Sequence, residues 1–141
     1  MKYTISGINH ITFAVENLDK SIWFYQTVLG GEILAKGEKL AYFSISGIWI
    51  ALNVEEKIPA PDRDRTYTHI AFTMSEADQI EFIKHINHHQ VDYTLGRSRN
   101  LKEGRSVYVR DYDGHLFEFH NKNKEDRLAY YLEERPDIKV F

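Results

Sequence analysis

The chain has no cysteine among its 141 residues, which excludes a disulfide framework, a thiolate nucleophile and any zinc-thiolate centre. If thiol chemistry occurs here, the thiol arrives as a substrate. No apolar run approaches the roughly 20 residues of a membrane span, and the N-terminus lacks a signal-peptide core. Positive charge does not predominate either. Net charge is -3, and no lysine or arginine cluster interleaves with aromatics, so there is no electrostatic footprint for nucleic acid or an anionic membrane. What remains is expected to be a cytoplasmic protein, and 43% hydrophobic residues over this length suffice for one substantial core and a single domain over residues 1–141.

Within that domain the order of elements occurs twice. From Ile8 to Val15 apolar residues alternate, with Ile11, Phe13 and Val15 on one face and His10, Thr12 and Ala14 on the other. Asn17 can cap a helix over Leu18 to Leu29, with Ile22, Tyr25 and Leu29 at helical spacing and Gly30-Gly31 as its stop. Strands follow at Glu32 to Ala35, Leu40 to Ile45 and Ile48 to Asn53, the last two joined by a tight turn at Ser46-Gly47. Residues 55–65 hold all but one of the prolines and predict a linker. The second copy has a strand from Tyr67 to Met74, a helix started by Ser75 with an apolar stripe of Ile80, Ile83 and Ile86, and strands at Asp92 to Leu95, Ser106 to Arg110 and His115 to His120. Lys124 to Glu134 predicts a closing helix. The modules thus span about 5–54 and 66–121, followed by a C-terminal helix and tail over 124–141.

The duplication sharpens the chemistry. His10 and His69 occupy the same place in the two opening strands. Setting Gly47 against Gly114 puts Ala51 opposite Glu118, Trp49 opposite Leu116 and Asn53 opposite His120, so only the second module keeps an acid in that slot. His10, His69 and Glu118 would form a two-histidine, one-carboxylate metal site with open coordination positions, suited to manganese, iron, nickel, zinc or magnesium. A single strand histidine is more often just a hydrogen-bonded residue, but repeated placement plus an acid in an apolar strand favours the site. His85, His88 and His89 fit a solvated helix face, His115 a turn, and His120 a group supporting Glu118. Arg97, Arg99, Arg105, Arg110 and Arg127 are many arginines for this stretch, and guanidinium forks recognise phosphate or phosphonate. Most arginines of this kind are surface ion pairs. Tyr42, Trp49 and Tyr108 could wall a pocket, although aromatic strand residues are commonly core.

Paired strand-helix-strand-strand-strand units with N-H-I-x-F, T-H-I-A-F and D-x-D-G-H-x-F-E-F-H resemble the vicinal oxygen chelate superfamily. Y-T-H-I-A-F, A-Y-F-x-x-x-G-I-W-I-A-L-N over 41–53 and E-D-R-L-x-Y-Y over 125–131 look like its fosfomycin-resistance metallothiol transferases of the FosB type. The resemblance implies an α+β fold of two tandem βαβββ modules forming one domain, with mixed sheets curled around a metal cup. It implies a homodimer in which units from two chains pair to form each cup, and Mn²⁺ or Mg²⁺ held by His10, His69 and Glu118. The family opens the oxirane of fosfomycin with a small thiol, bacillithiol for this type and glutathione for its relatives. By motif position Arg127, Tyr108, Asn53 and Arg97 hold the phosphonate, with Tyr42, Tyr67 and Trp49 around the substrate. Glu118, Tyr42 and Thr12 are the positions expected nearest the chemistry. Thr12 stands where FosB relatives usually carry cysteine or an apolar residue, and glutathione-using and hydrolytic relatives carry threonine.

Two other readings stay open. A hydrolase relative adds water with a glutamate base placed about where Leu40 stands here, with Glu38 close by. The same fold also serves as an antibiotic-binding module without metal, for which an open metal site would have no use.

Overall fold

Alternation from Ile8 onward yields β1 (His10–Val15), where Val15 is buried, Ile11 and Phe13 are half-buried, and His10 and Thr12 are exposed. In this computed structural model, which describes residues 3–58 and 66–141, strand pairing starts at His10 rather than Ile8. Asn17 caps the next helix, its side chain accepting from the Lys20 N–H at 3.0 Å. The helix expected over Leu18 to Leu29 is in fact two pieces, α1 (Leu18–Trp23) and a π-helical turn (Phe24–Val28) closed by Leu29 N donating to Phe24 O at 3.0 Å. A wider turn rotates the apolar face, so Phe24, Tyr25 and Val28 are buried whereas Ile22 and Leu29 are only half-buried.

Three strands follow, β2 (Glu32–Lys36), β3 (Leu40–Ile45) and β4 (Ile48–Val54). Ser46 (φ 51°) and Gly47 (φ 78°) both adopt the left-handed conformation that a two-residue hairpin needs to match strand twist. The sheet order is β1-β4-β3-β2, with β1 and β4 parallel and the other pairs antiparallel. Phe43, Ile50, Leu52 and Val15 are fully buried and form the core of this unit with Phe24 and Tyr25. The turn Asp111–His115 belongs to the same unit. There Tyr25 donates to Asp111 at 2.8 Å, Asp113 accepts from Glu16 N at 3.0 Å, and the His115 ring donates to Ala14 O at 2.8 Å.

The second unit, Thr66–Arg110 with Leu116–Phe141, repeats the plan. It contains β5 (His69–Thr73), α2 (Glu76–His88), β6 (Tyr93–Thr94), β7 (Ser106–Arg110), β8 (Leu116–His120) and α3 (Lys124–Glu134), with sheet order β5-β8-β7-β6. β5 is shorter than the expected Tyr67 to Met74, and only Tyr93 and Thr94 pair of the expected Asp92 to Leu95. Ser75 caps α2 as expected, and Asn123 caps α3 through a capping box with Asp126. The stripe on α2 is turned from the expected one, since Ile80 is 53% exposed while Gln79 and Ile86 are buried. Gln79 earns its interior position by donating to Arg105 O and Phe119 O, both at 3.0 Å, which satisfies its amide. Of the linker expected over 55–65, residues 59–65 lie outside the described residues. No helix among the described residues is long and apolar enough to cross a membrane.

Candidate metal centre

Pairing register fixes which side chains share a face. In the second unit Ala71 pairs with Glu118 and Glu118 with Tyr108, while Thr73 and Ser106 both pair with His120. Residues two apart on a strand face the same way, so His69, Glu118, His120, Ser106 and Tyr108 share one face. Phe117 and Phe119 lie on the other, where Phe119 packs on Phe82 (ring centroids 4.7 Å). The first unit has the same layout. His10 pairs with Trp49, Thr12 with Ala51, Tyr42 with Ala51, and Asn53 with both Ala14 and Leu40. Ala51 thus stands in the register position of Glu118, and Leu40 in that of Ser106.

Glu118 is 6% exposed, and such a carboxylate needs donors. Its Oε1 accepts from Ser106 Oγ at 2.5 Å and from the Tyr108 hydroxyl at 3.0 Å. Each donor is itself supported. Ser106 spends its one proton on Glu118, so at the 2.7 Å contact with His120 Nδ1 it accepts. Tyr108 likewise accepts from Tyr67 OH at 2.5 Å and from Arg99 Nη2 at 2.7 Å. Two hydrogen-bond relays therefore converge on Oε1 and leave Oε2 for something else.

What Oε2 faces is His69 Nε2, 2.8 Å away. The Nδ1 of His69 lies 2.5 Å from Tyr67 O, and a carbonyl only accepts, so Nδ1 carries the hydrogen. The other ring nitrogen then brings a lone pair to a carboxylate oxygen at a distance that only a shared cation makes favourable. A proton can fill that role, and so can a divalent metal. The donor set, one imidazole nitrogen and one carboxylate oxygen with fixed orientations, fits such a metal. His10 is prepared in the same manner. Its Nδ1 is 2.6 Å from Asn9 Oδ1 and its ring leans against Trp49, centroids 4.4 Å apart and planes tilted by 35°. Among the described residues no three His, Asp or Glu side chains gather as a ligand group; His69 and Glu118 meet in the second unit, and His10 belongs to the first.

Burial pushes the Glu118 carboxyl up, but hydrogen bonds from Ser106 and Tyr108 and the nearby His69 and His120 outweigh it, so its pKa is lowered. His120 is lowered chiefly by burial, and is neutral at pH 7. Burial, with hydrogen bonds to Tyr67 and Glu118, raises Tyr108.

Of the remaining expected residues, Tyr67 and Tyr108 meet Glu118 directly or at one remove, and Arg127 approaches His120 Nε2 at 3.3 Å. Tyr42 packs edge-on against Trp49 at 5.2 Å in the first unit, where Thr12 and Asn53 are exposed on the same face as His10. Arg97 stands further out, its side chain 61% exposed and paired to Glu103 at 2.6 Å. The arginine beside Glu118 is Arg99, 8% exposed and 3.8 Å away. Sequence reasoning did not single out Ser106, Glu103 or the site role of Arg99. Only Ser106 carried a signal, a hydroxyl two residues before Tyr108 and opposite His120. The histidines at the end of α2 cluster ring to ring, His85 with His89 at 4.7 Å and His88 with His89 at 5.0 Å.

Glu103 is 2% exposed and accepts from Arg97, and its carbonyl lies 3.1 Å from His120 Nε2, with Arg127 Nη2 beside both. Burial pushes its carboxyl up, but Arg97, with Arg127 and Arg99 adding charge, holds it below the ordinary value. A depressed folded pKa gives stability that is present above the ordinary carboxylate range and lost as pH falls through the folded value. Glu103→Gln is therefore expected to cost about 1 kcal/mol at pH 7, since Arg97 is well solvated. It should also flatten the decline of melting temperature below pH 5. Identical acid slopes for the two proteins would refute this role.

The glyoxalase/bleomycin resistance protein/dioxygenase superfamily model matches residues 7–119. A metallothiol transferase FosB of Staphylococcus epidermidis is 44% identical over 137 residues, covering 97% of this chain and 99% of that one. The FosB of Lysinibacillus sphaericus is also 44% identical, covering 98% of each. Among solved structures, a point mutant of the fosfomycin resistance protein FosX of Listeria monocytogenes, in complex with Mn(II) and 1S,2S-dihydroxypropylphosphonic acid, aligns with a TM-score of 0.80 at 36% identity, covering 91% of this chain and 99% of that one. FosX of Mesorhizobium loti aligns at 0.74 and 32%, covering 89% and 100%. The chain belongs to the glyoxalase/bleomycin resistance protein/dioxygenase superfamily and, within it, to the metallothiol transferase FosB family.

Proposed function

We propose that this protein is a divalent-metal-dependent thiol transferase that inactivates fosfomycin by opening its epoxide with a small thiol, bacillithiol by preference. The observation that carries the reading is the pair His69 Nε2 and Glu118 Oε2, two lone-pair donors fixed 2.8 Å apart. FosB relatives 44% identical over nearly the whole chain support the reaction class. His69, Glu118 and His10 would hold Mn²⁺ or Mg²⁺, of which the FosX neighbour supports manganese. A bound divalent cation supplies Lewis-acid polarisation of the oxirane oxygen.

The chain's own residues do the rest. Arg127, Tyr108, Asn53 and Arg97 bind the phosphonate, and Tyr42, Tyr67 and Trp49 shape the space around the carbon skeleton. Thr12 and Tyr42 lie on the face of the first unit that carries His10 and orient the reacting groups. Ser106 and Tyr108 hold Glu118 ionised, so its Oε2 stays available. The thiolate sulfur bonds to an oxirane carbon, the carbon–oxygen bond breaks, and the alkoxide takes up the proton that the thiol lost. By the family resemblance the active form is a homodimer in which units from two chains pair to form each metal cup, and a small thiol as co-substrate fits the cytoplasm.

FosX likeness favours a second reading, hydrolysis by water, and one assay separates the two. Protein, Mn²⁺ and fosfomycin are incubated with bacillithiol, glutathione, cysteine or no thiol, and products are identified by mass. A thiol adduct formed only in the presence of thiol is expected, fastest with bacillithiol. A diol in the thiol-free tube would replace the transferase by the hydrolase, and unchanged drug in every tube would reject both and leave a binding module.

A further inference from the structure

Three of the chain's seven histidines, His85, His88 and His89, fall at the end of α2 and take no part in the chemistry above. Helical periodicity sorts them. His85 and His89 are one turn apart and share a helix face, while Ile86 takes the buried side. His88 is exposed, and His85 and His89 are half-buried. The rings meet in consequence, His85 with His89 at 4.7 Å between centroids and His88 with His89 at 5.0 Å.

Two imidazoles one helical turn apart make a chelate. His-x-x-x-His on one face is the ligand pair with which helices of metalloproteases hold zinc. An ion about 2.1 Å from each ring nitrogen places the centroids of two bound rings roughly 4.5 Å apart at a right angle and roughly 5.2 Å apart at a tetrahedral one. The 4.7 Å between His85 and His89 lies within that interval. Their planes stand at 71°, edge to face, and rotation about Cβ–Cγ, a broad torsion in histidine, turns both nitrogen edges to one point. Burial lowers the pKa of His89 and the charges of His85 and His88 lower it further, so its ring is neutral at pH 7 and offers a lone pair. A helix C-terminus adds the negative pole of the helix dipole, which favours a cation. Among the described residues no three such side chains gather as a ligand group, so His88 stays outside and water completes the coordination. The donor set also selects the ion. Without a carboxylate it does not suit manganese or magnesium, whereas imidazole suits nickel, copper and zinc.

We propose that His85 and His89 form a second metal site, with ligands separate from those of the His69–Glu118 centre, that takes Ni²⁺, Cu²⁺ or Zn²⁺ and not Mn²⁺ or Mg²⁺. It goes beyond the transferase reading and does not depend on it. The test is calorimetric titration of Ni²⁺ into His69→Ala, the variant expected to lack the Glu118 centre, so that binding at α2 is read alone. One Ni²⁺ per chain is expected, and no Mn²⁺ at the same concentrations. Adding His85→Ala or His89→Ala to that background should raise the Ni²⁺ Kd about 100-fold, because the chelate is lost, while adding His88→Ala should change it less than about threefold. A second measurement needs no variant of the Glu118 centre. Zn²⁺ titrated into the wild-type protein should shift the ring C–H proton signals of His85 and His89, and His85→Ala should abolish the shift at His89 while leaving Mn²⁺ affinity unchanged.

An absence of Ni²⁺ binding to folded His69→Ala would overturn the proposal, as would a Kd that neither His85→Ala nor His89→Ala moves. Should His69→Ala fail to fold, unshifted His85 and His89 signals under Zn²⁺ would overturn it in the wild-type protein. A loss from His88→Ala as large as that from His85→Ala would overturn the assignment to the pair.

Discussion

Glu118→Gln is expected to lose more than about 100-fold in Mn²⁺ affinity, beyond the 10- to 100-fold typical of groups that merely support a ligand, and to keep its fold. The reason lies in how the two oxygens are used. Ser106 and Tyr108 both donate to Oε1, so the glutamine carbonyl takes that place and its NH₂ must take the other. There it meets the lone pair of His69 Nε2, which sits 2.8 Å from the native Oε2. An N–H···N hydrogen bond then satisfies both groups with no cation, and melting temperature should hold or rise slightly. His69→Ala should lose metal affinity to the same extent without that compensation. Mn²⁺ titration followed by electron paramagnetic resonance gives the answer, and a Glu118→Gln protein that binds Mn²⁺ within tenfold of wild type would remove Glu118 from the ligand set.

His69 and Glu118 were legible because the chain states their context twice. An opening strand with a histidine at one place, and a closing strand aligned by Gly47 and Gly114, need only period-two alternation and turn chemistry to be read, and the pairing of His10 with Trp49 and of Thr12 and Tyr42 with Ala51 follows that alignment. Helix faces were less legible. The π-helical turn at Phe24–Val28 depends on packing rather than on residue type, and it moved burial from Ile22 and Leu29 to Phe24 and Val28. Gln79 is buried because two carbonyls of other segments happen to face it, which local polarity cannot anticipate. Arg97 and Arg99 are alike by composition, and only the path of the segment between β6 and β7 makes one solvated and the other desolvated.

The two modules differ in a correlated way. Where the second has Ser106 and Glu118, the first has Leu40 and Ala51, so hydroxyl and carboxylate are both missing at matching places. A buried carboxylate without its donors would carry an uncompensated desolvation penalty. Tyrosine is kept in both, as Tyr42 and Tyr108. In the first module it packs on Trp49 at 5.2 Å, and in the second it donates to Glu118 at 3.0 Å. One face thus carries an aromatic wall and the other a hydrogen-bonded carboxylate.

Ser106→Ala tests whether that hydroxyl sets the state of the Glu118 carboxylate. It removes the shorter donor to Glu118 Oε1, at 2.5 Å, and strands the Nδ1–H of His120, 2.7 Å from the same oxygen. Mn²⁺ affinity at pH 7 should fall about 10- to 100-fold. The pH dependence carries the mechanism. Burial raises the Glu118 carboxyl, and Ser106 heads the groups that bring it below its ordinary value, so losing the hydroxyl lets the pKa climb. Metal binding needs the ionised carboxylate. The midpoint of Mn²⁺ binding against pH should therefore move upward, and the deficit should shrink as pH rises past the new midpoint. Ser106→Thr, which restores a hydroxyl on the same strand face, should recover most of the affinity. An alanine variant whose midpoint stays at the wild-type pH, whatever its affinity, would show that Tyr108 and His69 alone keep Glu118 ionised.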